Sequence, residues 1–422
     1  MFALRHIVPL LVFHLLVFHL IASASTAGDP ANLGRARWGK PSRPEPVTDD
    51  MRSAVRSANA FAFDLYAQIE DQDGNQFFSP SELWSLLAVA AAVAKGETER
   101  QMLEVLHAEL PQERRLAACG KLTAYRDDSG DGVTLKRATR IFTAPNNHPL
   151  RPYLATVKNA SDALPTRLNF ANPRRAARVI NQWIARNTGG KITNLVSPRM
   201  LPRDTQLLLA SASHFDAKWE SPFSQSKTRN EPFRLVGGEQ ATVSMMHQTN
   251  TFRYGESDGL QLVELPYSGG DFAMVILLPK VVGLDDLESS LTAEALEQWI
   301  SAMEEREVIL SVPKFRTDFR AELTETLIEM GMPLAFSENA DFSRMTPRRG
   351  ARIVAVAHAG SIAVDEVRTV AATATVVGGL GGGGFGPEPP VEFRADRPFV
   401  YLVRDVRTGL ILYLGRVMDP TK

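Results

Sequence analysis

Five places in the chain carry residue types that could do chemistry. Residues 127–132 read DDSGDG, with oxygen ligands at 127, 129 and 131 and a glycine at 132, which is how a calcium loop begins. The twelfth position is Ala138, where such a loop needs a bidentate carboxylate, so the stretch reads as a surface turn. Residues 378–386 read GGLGGGGFG. A phosphate cradle needs a helix straight after its glycines, or a Lys followed by Ser or Thr, and here PEPP follows. His247 and His358 both sit among apolar residues and could act as general bases, but neither has a nucleophile beside it in sequence, so both read as structural histidines. Cys119 is the only cysteine: it excludes an internal disulfide and reads as a buried thiol. No HExxH, CxxC or GxSxG occurs. The sequence therefore offers no catalytic constellation, no metal site and no cofactor site.

The bulk properties suit a single folded domain. The chain has 422 residues, 44% apolar and 23% charged, which allows a large core without disulfides. A net charge of −1 argues against nucleic acid as a partner, and RRAAR at 174–178 reads as a solvated helix face. At the N-terminus, Arg5 and His6 precede an apolar run from Ile7 to Ile21, and small residues follow to Ala27. That is the layout of a secretory signal peptide over 1–27, with an N-terminal anchor as the other reading of the run. It implies a secreted or extracellular protein, periplasmic in a Gram-negative bacterium, with no membrane association after cleavage. Residues 28–50 form a Pro/Gly-rich linker, and the domain is expected over 51–420.

The elements that fill this domain are mixed. SPSELWSLLAVAAAVA (79–94) is an apolar helix opened by Ser79 and Pro80, and Asn172 and Pro173 open an amphipathic helix ended by Gly189 and Gly190. Strands dominate the second half. QLVELPY (261–267) and FAMVILLP (272–279) form a hairpin about Gly269–Asp271, EVILSVPKF (307–315) is a strand, and two strands close the chain around a turn at Asp405 to Gly409. The fold class is α+β, with antiparallel sheets rather than alternating βαβ units.

NQFFSPSELWSLLAVAAAVAKGETERQM (75–102), LNFANPRRAARVINQWIARNTGGKITNLV (168–196), FDAKWESPF (215–223), VSMMHQ (243–248), ELPY (264–267), VPKF (312–315), ADFS (340–343) and VEFRADRPFVYLVRD (391–405) stand in one order. These blocks resemble the serpin family, and the resemblance covers about 51–420. It implies helices around three β-sheets, an exposed reactive-centre loop at about 366–391, and a monomer that is not an enzyme. The implied partner is a target serine protease, or in a wider reading a cysteine protease, trapped as an acyl-enzyme when the cleaved loop inserts into the main sheet. The family pattern makes Glu366, Val367, Arg368, Thr369, Val370, Ala371, Ala372, Thr373, Ala374 and Thr375 the hinge. It places a shutter at Ser79, Glu82, Ser211 and His358, and the breach at Trp219.

This sequence permits such an insertion. From Thr369 to Pro387 the chain carries no charge, and no residue of 369–377 is larger than valine. Side chains in a strand alternate between its faces, and an unpaired charge on a buried face costs several kcal/mol, so the segment can enter a sheet where a charged one could not. The reactive-bond candidates are Leu380, Gly382, Gly383, Gly384 and Phe385. Family spacing from Glu366 points to Gly382–Gly383, and counting back from the Arg397–Pro398–Phe399 block points to between about Gly384 and Pro387. Phe385 suits chymotrypsin- or subtilisin-like proteases, and Leu380 or a glycine suits elastase-like ones. Arg368, where inhibitory members carry glycine, keeps open a non-inhibitory serpin: a carrier, a chaperone or only a protease substrate. Glu82 and Ser211 depart from the family's serine and asparagine. Glu82 is expected to hydrogen-bond His358 and raise its pKa.

Overall fold

The structure is a computed structural model. It describes residues 46–69, 74–124, 132–147, 157, 165–257, 259–345, 350–366 and 388–422. Among these are eight helices: α1 (Asp49–Ile69), α2 (Pro80–Ala91), α3 (Gly96–Val105), α4 (Gln112–Ala124), α5 (Pro173–Asn187), α6 (Asp285–Ser290), α7 (Ala293–Ser301) and α8 (Thr324–Glu329). The strands are β1 (Gln76–Phe78), β2 (Val133–Thr143), β3 (Thr166–Arg167), β4 (Leu207–Ala217), β5 (Arg229–Arg234), β6 (Gln240–Ser257) and β7 (Leu260–Pro266). They continue with β8 (Phe272–Pro279), β9 (Glu304–Pro313), β10 (Phe315–Glu322), β11 (Ile353–Val364), β12 (Val391–Arg394), β13 (Phe399–Asp405) and β14 (Ile411–Val417). The first helix starts two residues ahead of the linker boundary read from sequence. Thr48 caps it, with its hydroxyl accepting from the Met51 amide at 3.2 Å, and Asp49 and Asp50 suit the positive end of the helix dipole.

The strands assemble into two hydrogen-bonded sheets. One has the order β10-β11-β4-β2-β3. The other has nine strands, β1-β14-β13-β8-β7-β6-β9-β12 with β5 on β6. Two of the three expected sheets are thus continuous here. The long strand β6 joins them, since its C-terminal part pairs with β7 while its N-terminal part pairs with β5. The hairpin of β7 and β8 forms as the sequence indicated, with Gly269 and Gly270 in the left-handed region at φ +90° and +73°. Pro313 ends β9, because proline has no amide to donate to a ladder.

Within the five-stranded sheet, β4 and β11 are neighbours and run parallel, with His358 opposite Ser211. The two faces of this pair differ. Leu207, Leu209, Val356 and Ile362 join the main core, with α2 beneath them. The other face offers Ala210, Ala212, Ala355, Ala357 and Ala359 to the apolar side of α5. That helix is capped by Asn172, whose side chain accepts from the Arg175 amide at 3.0 Å, and it presents Ala176, Ala177, Ile180, Trp183 and Ile184 to the sheet. The Arg140 guanidinium lies 4.7 Å from the centre of the Trp183 ring, a cation–π contact.

The short strand β1 bridges the two sheets by pairing with β14 while its backbone passes against β11. A Cβ added at Gly360 would lie 2.3 Å from the Phe77 carbonyl oxygen, so only glycine fits. Gly360→Ala is expected to destabilise the protein by about 1–3 kcal/mol or more through overpacking, read as a lowered thermal transition.

Candidate functional site

The N-terminal turn of α2 holds both central strands from the core side. Ser79 is its N-cap, and its hydroxyl accepts from the Glu82 amide at 3.4 Å and donates to the Leu412 carbonyl at 2.8 Å. The Ser79 backbone amide donates to Nε2 of His358 on β11 at 3.0 Å. On β4, the Ser211 hydroxyl donates to Glu82 Oε2 at 3.0 Å. All four side chains are buried. The proline at N1 and the serine cap fix the turn, and the Ser79 amide ahead of it faces β11. One helix end thus ties β11, β4 and β14 together, and parting β4 from β11 must break at least one of these bonds.

The expected bond between Glu82 and His358 is not formed. Glu82 is turned to Ser211, and His358 takes the backbone amide of Ser79 instead. Because Nε2 accepts, the neutral ring carries its proton on Nδ1, for which the described residues supply no hydrogen-bond partner. Burial pushes the His358 pKa down to about 3, the opposite of the expected rise.

At the end of the seam where β4 and β11 both finish, Trp219 spans the gap. Its indole N–H donates to the Asp365 carbonyl at 3.1 Å, and its ring stacks on Tyr267 at 4.6 Å. One residue further, the buried Glu366 carboxylate accepts from the Thr228 hydroxyl at 2.7 Å and pairs with Lys314 at 2.8 Å. Burial alone would raise its pKa, but the bonds from Lys314 and Thr228 outweigh that and hold it below the usual carboxylate value. Thr228 and Lys314 were missed as partners of Glu366. Lys314 stands in the VPKF block, but nothing local links it to a glutamate 52 residues on.

The structure brings Ser79, Glu82, Ser211 and His358 together at mid-seam and sets Trp219 and Glu366 at its end. The hinge residues Val367 to Thr375 and the bond candidates Leu380, Gly382, Gly383, Gly384 and Phe385 lie outside the described residues, as do the leader and most of the linker. Among the described residues no helix is long and apolar enough to cross a membrane. The histidine left without a nucleophile in sequence, His247, meets the Ser311 hydroxyl at Nδ1 (2.9 Å) and lies with Nε2 3.0 Å from Glu231. Ser311 is itself buried within β9, so no exposed nucleophile results. Cys119 is buried, as read.

A parallel strand pair clamped by α2 on one side and covered by α5 on the other, within an α+β fold, fits the family that the motif blocks resemble. The family comparisons agree: residues 56–420 match the profile described as Serpin (serine protease inhibitor). An uncharacterized serpin-like protein of Thermococcus kodakarensis is 35% identical over 373 residues, covering 87% of this chain and 86% of its own. The leukocyte elastase inhibitor of Bos taurus is 34% identical, covering 85% and 97%. Among solved structures, Manduca sexta serpin-12 matches with a TM-score of 0.78 at 27% identity, covering 87% of this chain and 99% of that one. Uncleaved ovalbumin matches at 0.77 and 27%, covering 87% and 100%. The chain belongs to the serpin family, whose members are mostly protease inhibitors rather than enzymes.

The depressed pKa of His358 makes stability depend on pH. Above pH 6.5 the histidine is neutral in both folded and unfolded chains. As pH falls from there towards 3, the unfolded chain binds a proton that the folded one refuses, so stability is lost by up to about 1.4 kcal/mol per pH unit. Thermal transitions between pH 7 and 4.5 are expected to fall less steeply in His358→Gln than in wild type, although the variant starts lower at pH 7.

Proposed function

We propose that this serpin inhibits serine proteases as a suicide substrate. The observation that carries the reading is the direct parallel pairing of β4 with β11, and the chain's course from the end of β11 through Glu366 into the uncharged stretch. A segment turning back at Glu366 would run antiparallel to both strands and could pair with each. About nine residues gaining ladder bonds at roughly 0.5–1.5 kcal/mol each would release on the order of 5–13 kcal/mol. The uncleaved protein would then be kinetically trapped.

The protease supplies the chemistry. Its serine oxygen attacks a loop carbonyl, the amide bond breaks, the new amine end leaves, and the carbonyl side stays on the enzyme as an ester. Insertion of 369–377 would then carry the protease along the sheet and distort its site before water can attack the ester. The loop offers no Arg or Lys from Thr369 to Pro387, which favours chymotrypsin-, elastase- or subtilisin-like targets. The leader-like N-terminus supports action outside the cell or in a periplasm. Arg368 favours a second reading, a serpin without the trap.

Incubation with elastase, chymotrypsin and subtilisin is expected to give, with at least one of them, a band on denaturing gels at the summed mass. Thr369→Arg puts a charge on an inserting face, so the band should vanish while cleavage persists. Inhibition by Thr369→Arg equal to wild type would refute insertion, and cleavage of wild type without any such band would favour the second reading.

A further inference from the structure

Away from the seam, charge is sorted by sign along the chain. Between Asp162 and Asp204 there is no acidic residue, and eight Lys or Arg fall there. Between Lys280 and Arg306 there is no basic residue, and seven Asp or Glu fall there. The fold turns each run into a surface. On α5, Arg174, Arg175, Arg178 and Arg186 stand opposite the apolar side that meets the sheet, and all four are exposed. They span about 18 Å of helix, at roughly 1.5 Å per residue. Lys191, also exposed, follows beyond the helix end. Asp285 and Asp286 on α6, Glu294 and Glu297 on α7, and Glu304 and Glu305 at the start of β9 are exposed in the same way. Among the described residues none of these basic or acidic side chains forms an ion pair. On other helices, by contrast, Arg52, Arg100 and Arg114 each reach a carboxylate.

We propose that the basic face of α5 docks on the acidic face of α6 and α7 in a second copy of this chain. Helix α5 covers one side of the five-stranded sheet. Helices α6 and α7 bury Leu287, Leu296 and Ile300 in the main core on the other side, where α7 meets α1. The two faces therefore lie on different sides of that sheet and cannot neutralise each other within one molecule. Arg174 and Arg178, four residues apart, set like charges on neighbouring turns, which weakens a helix unless a counter-charge meets them. A second copy supplies that counter-charge. The outer face of α5 carries no exposed large apolar side chain, and Trp183 is buried, so it lacks what a lipid surface or stacked bases would need. The contact is heterologous, basic on one copy and acidic on the next, so copies add head to tail. A stable interface buries roughly 800 Å² on each partner, and this one rests on a single helix face and exposed charges. Association is therefore weak, absent when the protein is dilute and controlled by salt. No loop residue takes part, so the contact is independent of inhibition.

Sedimentation of the intact chain up to about 100 µM, in about 20 mM and about 500 mM salt, reads the contact, because charges reach roughly 20 Å in the first and roughly 4 Å in the second. The weight-average mass is expected to rise with concentration towards two chains and beyond at low salt, and to stay at one chain at high salt. Arg174→Glu with Arg178→Glu, and separately Glu294→Lys with Glu297→Lys, should each stay monomeric at low salt, since like charges then face each other. Thermal transitions close to wild type establish that both variants fold. An equal mixture of the two should associate, because the intact acidic face of the first meets the intact basic face of the second. A wild type that is monomeric throughout, association that persists in either variant alone, or a mixture that stays monomeric overturns the docking. Binding of a monomeric wild type to dextran sulfate, lost in the arginine variant, overturns it too and assigns the α5 face to a polyanion instead.

Discussion

The bond from the Ser79 amide to Nε2 of His358, with the bond from Ser211 to Glu82 beside it, is the constraint on which the rest depends. A parallel pair at the centre of a sheet would ordinarily be its most stable part, with no reason to open. Here, beyond the ladder, His358 and Ser211 tie the two strands to one helix end. The face towards α5 is mostly alanine, with Leu208 beside it. Small side chains bury little area, so the covering helix is held less firmly than it would be by leucine or isoleucine. The opposite face, with Leu207, Leu209, Val356 and Ile362, fixes each strand to the core.

Charge is used differently at the two ends of the loop. At the upstream end, Glu366 is buried and fully partnered by Thr228 and Lys314, which fixes where β11 stops. At the downstream end, Glu231 pairs with Arg229 and Arg394 and lies 3.0 Å from His247, while Arg394 also reaches Asp396 at 3.5 Å. The first arrangement is an anchor, since removing Lys314 leaves a buried charge uncompensated. The second spreads its charges over two carboxylates, Glu231 and Asp396.

Much of this fold was legible in the sequence. The caps Ser79–Pro80 and Asn172–Pro173, the Gly269–Gly270 turn and the buried run at 272–279 mark their elements locally, because capping, left-handed turns and two-sided burial each leave a residue signature. The ordered motif blocks supplied the family and, with it, the positions of the seam residues. Partner choice was not legible. Glu82 and His358 stand 276 residues apart, and which of Ser211 or His358 the carboxylate reaches depends on strand register and helix placement. The sign of the His358 shift followed from that error, since without a carboxylate beside it burial decides. The contacts among Glu231, His247, Ser311 and Arg394 were equally hidden, because these residues come from four strands separated in the chain.

The claim that the seam is a closed site for one more strand is tested most directly by cutting the loop once with a protease that is not trapped and comparing thermal transitions before and after. Insertion predicts a rise of about ten degrees or more, since several kcal/mol of ladder bonds are gained at a few degrees each. A transition unchanged or lowered by the cut would contradict it, and would mean that β4 and β11 stay paired whatever follows Glu366.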